Sequence, residues 1–233
     1  MKKRLFASLL CLALCLSLLP ITALADGDGG VAYIERGWDG NAVTEQVETI
    51  DTYTLMDKNT VTWSESTTGG WYVARDNVTI NQRVTVIGDV HLILTDGCTL
   101  TVNGGIQVAT GNSLTIYGQS EQTGTMGRLI ASITEEDASI YHAVIGGNGS
   151  DTGGNEGGAV TIHGGFVSAR STIFNHNHNA GTVGNDAYSI GSAYGAAIGG
   201  GGTKTGNGGN GGTATVYGGA VEATVTVIDV SQS

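Results

Sequence analysis

Proline is almost missing from this chain, one residue in 233 against 39 glycines. That excludes collagen, which needs abundant proline and a strict Gly-X-Y period. The glycine density also excludes long helices and coiled coils, since each helical glycine costs roughly 1 kcal/mol relative to alanine. Charged residues make up only 13%, yet 40% of the chain is hydrophobic, so charge-driven disorder is excluded as well. Basic residues are the scarcest charge: 10 Lys and Arg face 21 Asp and Glu, a formal charge of −11. No basic stripe exists, which excludes nucleic acid as a partner. What remains is a glycine-punctuated, β-rich chain, long enough for one large domain or a small repeat array.

Residues 1–25 read as a secretory signal peptide. Met1-Lys2-Lys3-Arg4 is a basic start, Leu5 to Leu19 is an unbroken apolar stretch, and Pro20 ends it. Ala23-Leu24-Ala25 then places small residues where signal peptidase cuts. The stretch is short for a membrane span. Leucine precedes both Cys11 and Cys15, where lipoprotein processing wants a small residue. Cleavage after Ala25 leaves 208 residues of formal charge −14, without proline and with Cys98 as the single cysteine. No intramolecular disulfide is then available, and Cys98, between two apolar strands, reads as buried and inert. The expected location is extracellular or cell-surface, with no membrane contact after cleavage.

A repeat starts at Val78. Val78-Thr79-Ile80, Val84-Thr85-Val86 and Leu92-Ile93-Leu94 are followed 22 positions later by Leu100-Thr101-Val102, Ile106-Gln107-Val108 and Leu114-Thr115-Ile116. Three short strands per period is the pattern of a coil whose turns stack in parallel. Val160-Thr161-Ile162-His163-Gly164-Gly165-Phe166-Val167 returns 54 positions on as Ala214-Thr215-Val216-Tyr217-Gly218-Gly219-Ala220-Val221. Ala143-Val144-Ile145-Gly146-Gly147 returns after 53 as Ala196-Ala197-Ile198-Gly199-Gly200. Leu100 to Gly105 is placed in the same series as Val160 to Gly165. Alternation puts Ile80, Val102, Ile162 and Val216 inward and the threonines between them outward. The fold expected is all-β, a right-handed parallel β-helix (solenoid) with Gly/Asn-rich loops over 78–233, the last turn open or truncated. Residues 26–77, acidic and carrying Trp38, Trp63 and Trp71, are expected to form an N-terminal cap. An antiparallel sandwich competes, but predicts no constant phase across three strands.

Several constellations point to chemistry, and each has a plainer reading. Gly146-Gly147-Asn148-Gly149-Ser150-Asp151 begins like the calcium-binding nonapeptide, which makes Asp151 a candidate calcium ligand. Gly153 stands where that motif needs an apolar residue, and Lys204 replaces the aspartate in the second copy, so a flexible loop is the plainer reading. His176 and His178 lack a third metal ligand, and Glu135-Glu136-Asp137 reads as a solvated acidic turn. No phosphate-binding glycine motif is present. Hydrolysis of a glycosidic bond by inversion needs two carboxylates about 6.5–9.5 Å apart. The outward positions hold Thr79, Thr85, Thr101, Thr115, Thr161 and Thr215 instead. The threonines bear a likeness to ice-binding faces too, but β-propensity explains them.

The unit T-[VI]-x-G-G-x-V, as in Thr161 to Val167 and Thr215 to Val221, resembles the repeat of secreted carbohydrate-binding β-helix proteins. That resemblance spans roughly residues 78–230. It implies a pectate-lyase-like fold, binding of acidic plant polysaccharide with calcium, and no lyase machinery. No calcium ligand of the family matches a position here, so calcium is a cofactor admitted but not assigned. The polygalacturonase patterns N-T-D, D-D, G-H-G and R-I-K are absent. One residue past each inward Ile or Val stand Asn81, Asn103, His163 and Tyr217, and Tyr117 ends a third strand likewise. Such a column is expected to bind a polysaccharide or cell-surface glycan, by hydrogen bonds to hydroxyls and stacking on a pyranose face. Alternatively, Asn81 and Asn103 form a ladder that satisfies turn backbone. The leading reading is a non-catalytic glycan-binding module. A stalk or adhesin segment comes next, and a polysaccharide lyase or hydrolase third.

Overall fold

The computed structural model describes residues 30–136, 141–175, 195–203 and 206–229. The signal segment 1–25, Asp137, His176, His178 and Lys204 lie outside the described residues, and of Glu135 and Glu136 only the backbone is described.

The chain opens with an antiparallel hairpin, β1 (Val31–Trp38) and β2 (Val43–Ile50). Its turn is an aspartate device: Asp39 Oδ1 accepts the N–H groups of Asn41 and Ala42, both at 2.8 Å. β3 (Thr54–Leu55) follows, and then the chain makes repeated rounds of three strands. The first two rounds are β4 (Thr62–Ser64), β5 (Trp71–Ala74), β6 (Val78–Ile80), and β7 (Val84–Ile87), β8 (Asp89–Leu94), β9 (Thr99–Asn103). The third is β10 (Ile106–Gln107), β11 (Ser113–Gly118), β12 (Arg128–Glu136). The last two are β13 (Ile145–Gly146), β14 (Ala159–Ile162), β15 (Phe166–Asn175), and β16 (Ile198–Gly199), β17 (Thr213–Val216), β18 (Ala220–Asp229). Among the described residues there is no α-helix, only one 3₁₀ turn at Thr68–Gly70.

Each strand pairs in parallel with the strand one round earlier and one round later, giving three sheets. Sheet one is β4-β7-β10-β13-β16, sheet two β3-β5-β8-β11-β14-β17, and sheet three β6-β9-β12-β15-β18. The β-rich, parallel architecture read from the repeat is therefore present. The 26–77 segment divides: the hairpin stands apart from the rounds, whereas Thr54 to Ala74 already supplies strands to sheets one and two.

Two registers differ from the sequence reading. Ile80 faces Val102 and Val84 faces Ile106, both 22 apart, but Leu92 faces Ile116, 24 apart. The turn closed by Asn112 N–H to Ala109 O at 3.0 Å adds two residues before β11. A slip of two preserves the inward face, so alternation cannot reveal it. Leu100–Gly105 also leaves the series of Val160–Gly165: β9 lies in sheet three, while β14 lies in sheet two beside Leu114–Ile116. β9 and β14 both end as alternating apolar residues before a glycine turn, so local likeness does not identify the sheet. The 53- and 54-residue spacings hold in register, with Ile145 facing Ile198 and Ile162 facing Val216.

The inward residues stack rung on rung into one aliphatic core that includes Ile80, Leu92, Val102, Ile106, Leu114, Ile116, Leu129, Ile145 and Ile162. Cys98 is buried in it, and desolvation pushes its thiol pKa up. Val216 is the exception, 54% exposed, because β17 is the last described strand of its sheet.

Candidate functional site

The expected five-residue column forms as two separate ones. Asn81 and Asn103 stand exposed at the ends of β6 and β9, with Asn103 Nδ2 donating to Asn81 Oδ1 at 2.9 Å. Ser132 on β12 continues this column, its hydroxyl donating to Asn103 Oδ1 at 3.3 Å. The two asparagines thus bond to each other, side chain to side chain, and this ladder borders a cleft.

That cleft, about 410 Å³, is lined by Arg83, Asn103, Gly104, Ser132, Ile133, Thr134 and His142. Its volume lies in the range of small-ligand sites. Arg83, just before β7, is locked in place: Nε donates to Asn148 Oδ1 at 2.8 Å, Nη1 to Gly104 O at 2.9 Å and Nη2 to Ala143 O at 3.0 Å. Gly104 is required here, since a side chain would meet the backbone at Gln82 and Arg83. His142 accepts the Gly149 N–H at Nδ1, 2.8 Å, which leaves its proton on Nε2. Burial, reinforced by the Arg83 cation, lowers its pKa from 6.5 to about 4, so the imidazole is neutral at pH 7. The described lining therefore offers an amide, hydroxyls, a neutral imidazole and a fixed guanidinium beside the apolar Ile133.

The second column lies on the outer face of sheet two. Tyr117, His163 and Tyr217 stack in sequence, with ring centroids 4.9 and 5.3 Å apart. Trp71 and His91 extend the ladder: their rings stack at 4.3 Å, and Trp71 reaches Tyr117 at 5.6 Å. The hairpin covers this face. Val31 and Tyr33 pack with Val73, Ile93 and Tyr117 as a second apolar cluster. Tyr117 and His163 are consequently only 4% and 7% exposed, and Tyr217 is half-buried. Outward alternation was legible; the covering hairpin was not, so Tyr117 and His163 are buried where an open binding face was expected.

Sequence reasoning missed Arg83, Ser132, His142, Trp71, His91 and Arg36. His91 was hidden by the register slip and Trp71 by the reading of 26–77 as a cap, although both sit at outward positions of their strands. The hairpin had one signal, Asp39-Gly40 between two alternating stretches.

Asp151 is exposed in the first Gly/Asn loop, and Ser150 beside it bridges to Thr203 in the second. Among the described residues no three His, Cys, Asp or Glu side chains gather into a metal-binding group. The described parts of the two loops, expected as a plain flexible loop, bond to each other through their backbones. Gly147 N–H donates to Gly199 O, Gly157 N–H to Asn210 O and Gly201 N–H to Asn155 O, each at 2.9 Å. Backbones pack this closely because the glycines have no side chain to separate them. Among the described residues no helix is long and apolar enough to cross a membrane. Compared with protein-family models, curated proteins and solved structures, the chain matches none.

Proposed function

We propose that the chain is a secreted, non-catalytic glycan-binding module built as a right-handed parallel β-helix. Support for the coil is the cyclic visit to three parallel sheets. Parallel crossovers in one sheet are right-handed in about 98% of cases, which favours that hand. Support for secretion is the layout of residues 1–25.

One observation carries the ligand reading: the cleft beside the Asn81–Asn103–Ser132 column, lined by neutral polar groups, the Arg83 guanidinium and the apolar Ile133. Sugars present hydroxyls and a weakly apolar ring face, and this lining answers both. Binding is favoured over hydrolysis because the described lining has no pair of carboxylates to act as acid and base. Calcium enters the proposal only as a bridge between an acidic glycan and this acidic chain, with Asp151 as its candidate ligand. The stacked loops and continuous ladders favour a second reading, a stiff stalk or adhesin segment of a surface protein.

A glycan array with and without chelator, read beside a reducing-end assay, tests these readings. The expected outcome is glycan retention without release of reducing ends. Loss of retention with chelator would assign calcium. The double change Asn103→Ala and Ser132→Ala should weaken affinity about tenfold, the scale of two lost hydrogen bonds. Unchanged affinity in a folded double variant removes the cleft as the site, and an array without any binding favours the stalk.

A further inference from the structure

The β1–β2 hairpin is held on sheet two by few backbone bonds. Among the described residues its one ladder contact with that sheet is Ile34 facing Gly118. Gln119 Nε2 adds a bond to Ala32 O at 2.8 Å, and Val31 and Tyr33 add apolar contact. β2 faces solvent along nearly its whole length. The remaining attachment is polar and centred on His163. Arg36 N–H donates to His163 Nδ1 at 2.9 Å, and the Arg36 guanidinium donates to the His163 carbonyl. Gly164 and Gly218 leave room for that arginine, because a side chain at either would press on it. Arg36 itself is buried and paired with Glu45 at 2.6 Å and Glu121 at 3.0 Å.

We propose that the hairpin is an acid-released strap latched by neutral His163: protonation at Nδ1 removes the acceptor of the Arg36 N–H and sets an imidazolium beside a buried guanidinium. The groups facing His163 can be counted by element. β1 presents the Arg36 guanidinium, whose charge opposes protonation, and Glu35, whose charge favours it. The Arg36 N–H points at Nδ1 and needs that nitrogen unprotonated. Glu45 of β2 and Glu121 after β11 are already engaged with Arg36. His91 of β8 opposes a second positive charge, while Tyr117 and Tyr217 stack on the ring. Desolvation dominates and holds the His163 pKa below 6.5. The closed strap is therefore fully favoured above pH 6.5 and loses stability as pH falls from there toward the lowered value. Release bares the stacked rings of Trp71, Tyr117 and His163, an aromatic surface that the closed form hides.

Hydrogen exchange on the full chain, corrected for intrinsic rates, tests the latch by following the amides of β1 against those of β9. Between about pH 6.5 and the lowered value of His163, the β1 opening constant should rise by up to about tenfold per pH unit, while β9 holds steady. His163→Asn keeps an acceptor oxygen near the Nδ1 position and cannot titrate, so its β1 profile should be flat. His91→Asn should keep the pH-dependent rise, because His163 is still there to titrate. Wild-type β1 protection that stays constant through this range overturns the proposal, as does an equal fall in His163→Asn. If His163→Asn does not fold, the NMR titration of the wild-type His163 ring decides. Titration below the ordinary value in step with β1 opening supports the latch, and titration with β1 still protected overturns it.

Discussion

Val102 and His142 show what burial does to single residues. Val102 is fully buried between Ile80 and Ala131 in sheet three. Val102→Asp would place a carboxylate among aliphatic groups with no partner, at a cost of roughly 3 kcal/mol or more. Thermal melting at neutral pH should show a large loss. A wild-type melting curve would mean that the residue faces outward. His142 answers the same pressure differently. Half-buried beside Arg83, it gives up its charge and keeps one nitrogen as acceptor for Gly149. The cleft thus carries one fixed positive charge at neutral pH, and not two.

Among the elements, the glycine loops and the hairpin depart furthest from a plain reading of composition. Gly154 lies in the first loop, where an added methyl would overlap the Gly201 carbonyl and press on the Gly209 N–H. Gly211, in the second loop, has open space around its missing side chain. Gly154→Ala is therefore expected to destabilise by roughly 1–3 kcal/mol, the scale of overpacking, while Gly211→Ala changes little. Melting temperatures of the two variants check this: equal values would mean that the loops do not pack as ladders. The hairpin shows the converse case. Its outer strand buries almost nothing, and it persists because β1 is shared between a small apolar cluster and the Arg36–His163 contact.

Across the described residues, strands inside a sheet are covered by a neighbour on each side and the last strand by one, so equivalent positions differ in worth. Ile162 and Val216 face each other in register, yet Ile162 is 2% exposed and Val216 54%. Ile162→Ala should cost about 2–5 kcal/mol, and Val216→Ala no more than about 1. Denaturant midpoints of the two variants measure the difference; similar losses would show that Val216 is covered in solution. β18 shares this position, with Val225 and Val227 42% and 49% exposed.

The sequence by itself determined the repeated strands after Val78, their inward faces and the 53- and 54-residue return, because alternation and glycine turns are local properties of the chain. It also contained Asn103, a true member of the cleft lining, since that residue ends a strand one step past the inward Val102. It did not determine which sheet each strand joins: every strand carries the same short pattern, and a two-residue slip leaves that pattern unchanged. Tertiary structure alone set the β8–β11 register, and with it the partners of His91 and Tyr117. It alone brought Arg83 against Asn148, 65 positions away, and Arg36 against His163, 127 positions away. Contacts of that separation leave no mark on local pattern, because each residue taken alone is an ordinary polar group in a turn or strand. Burial under the hairpin follows the same logic: an outward side chain is exposed only until another segment lies across it.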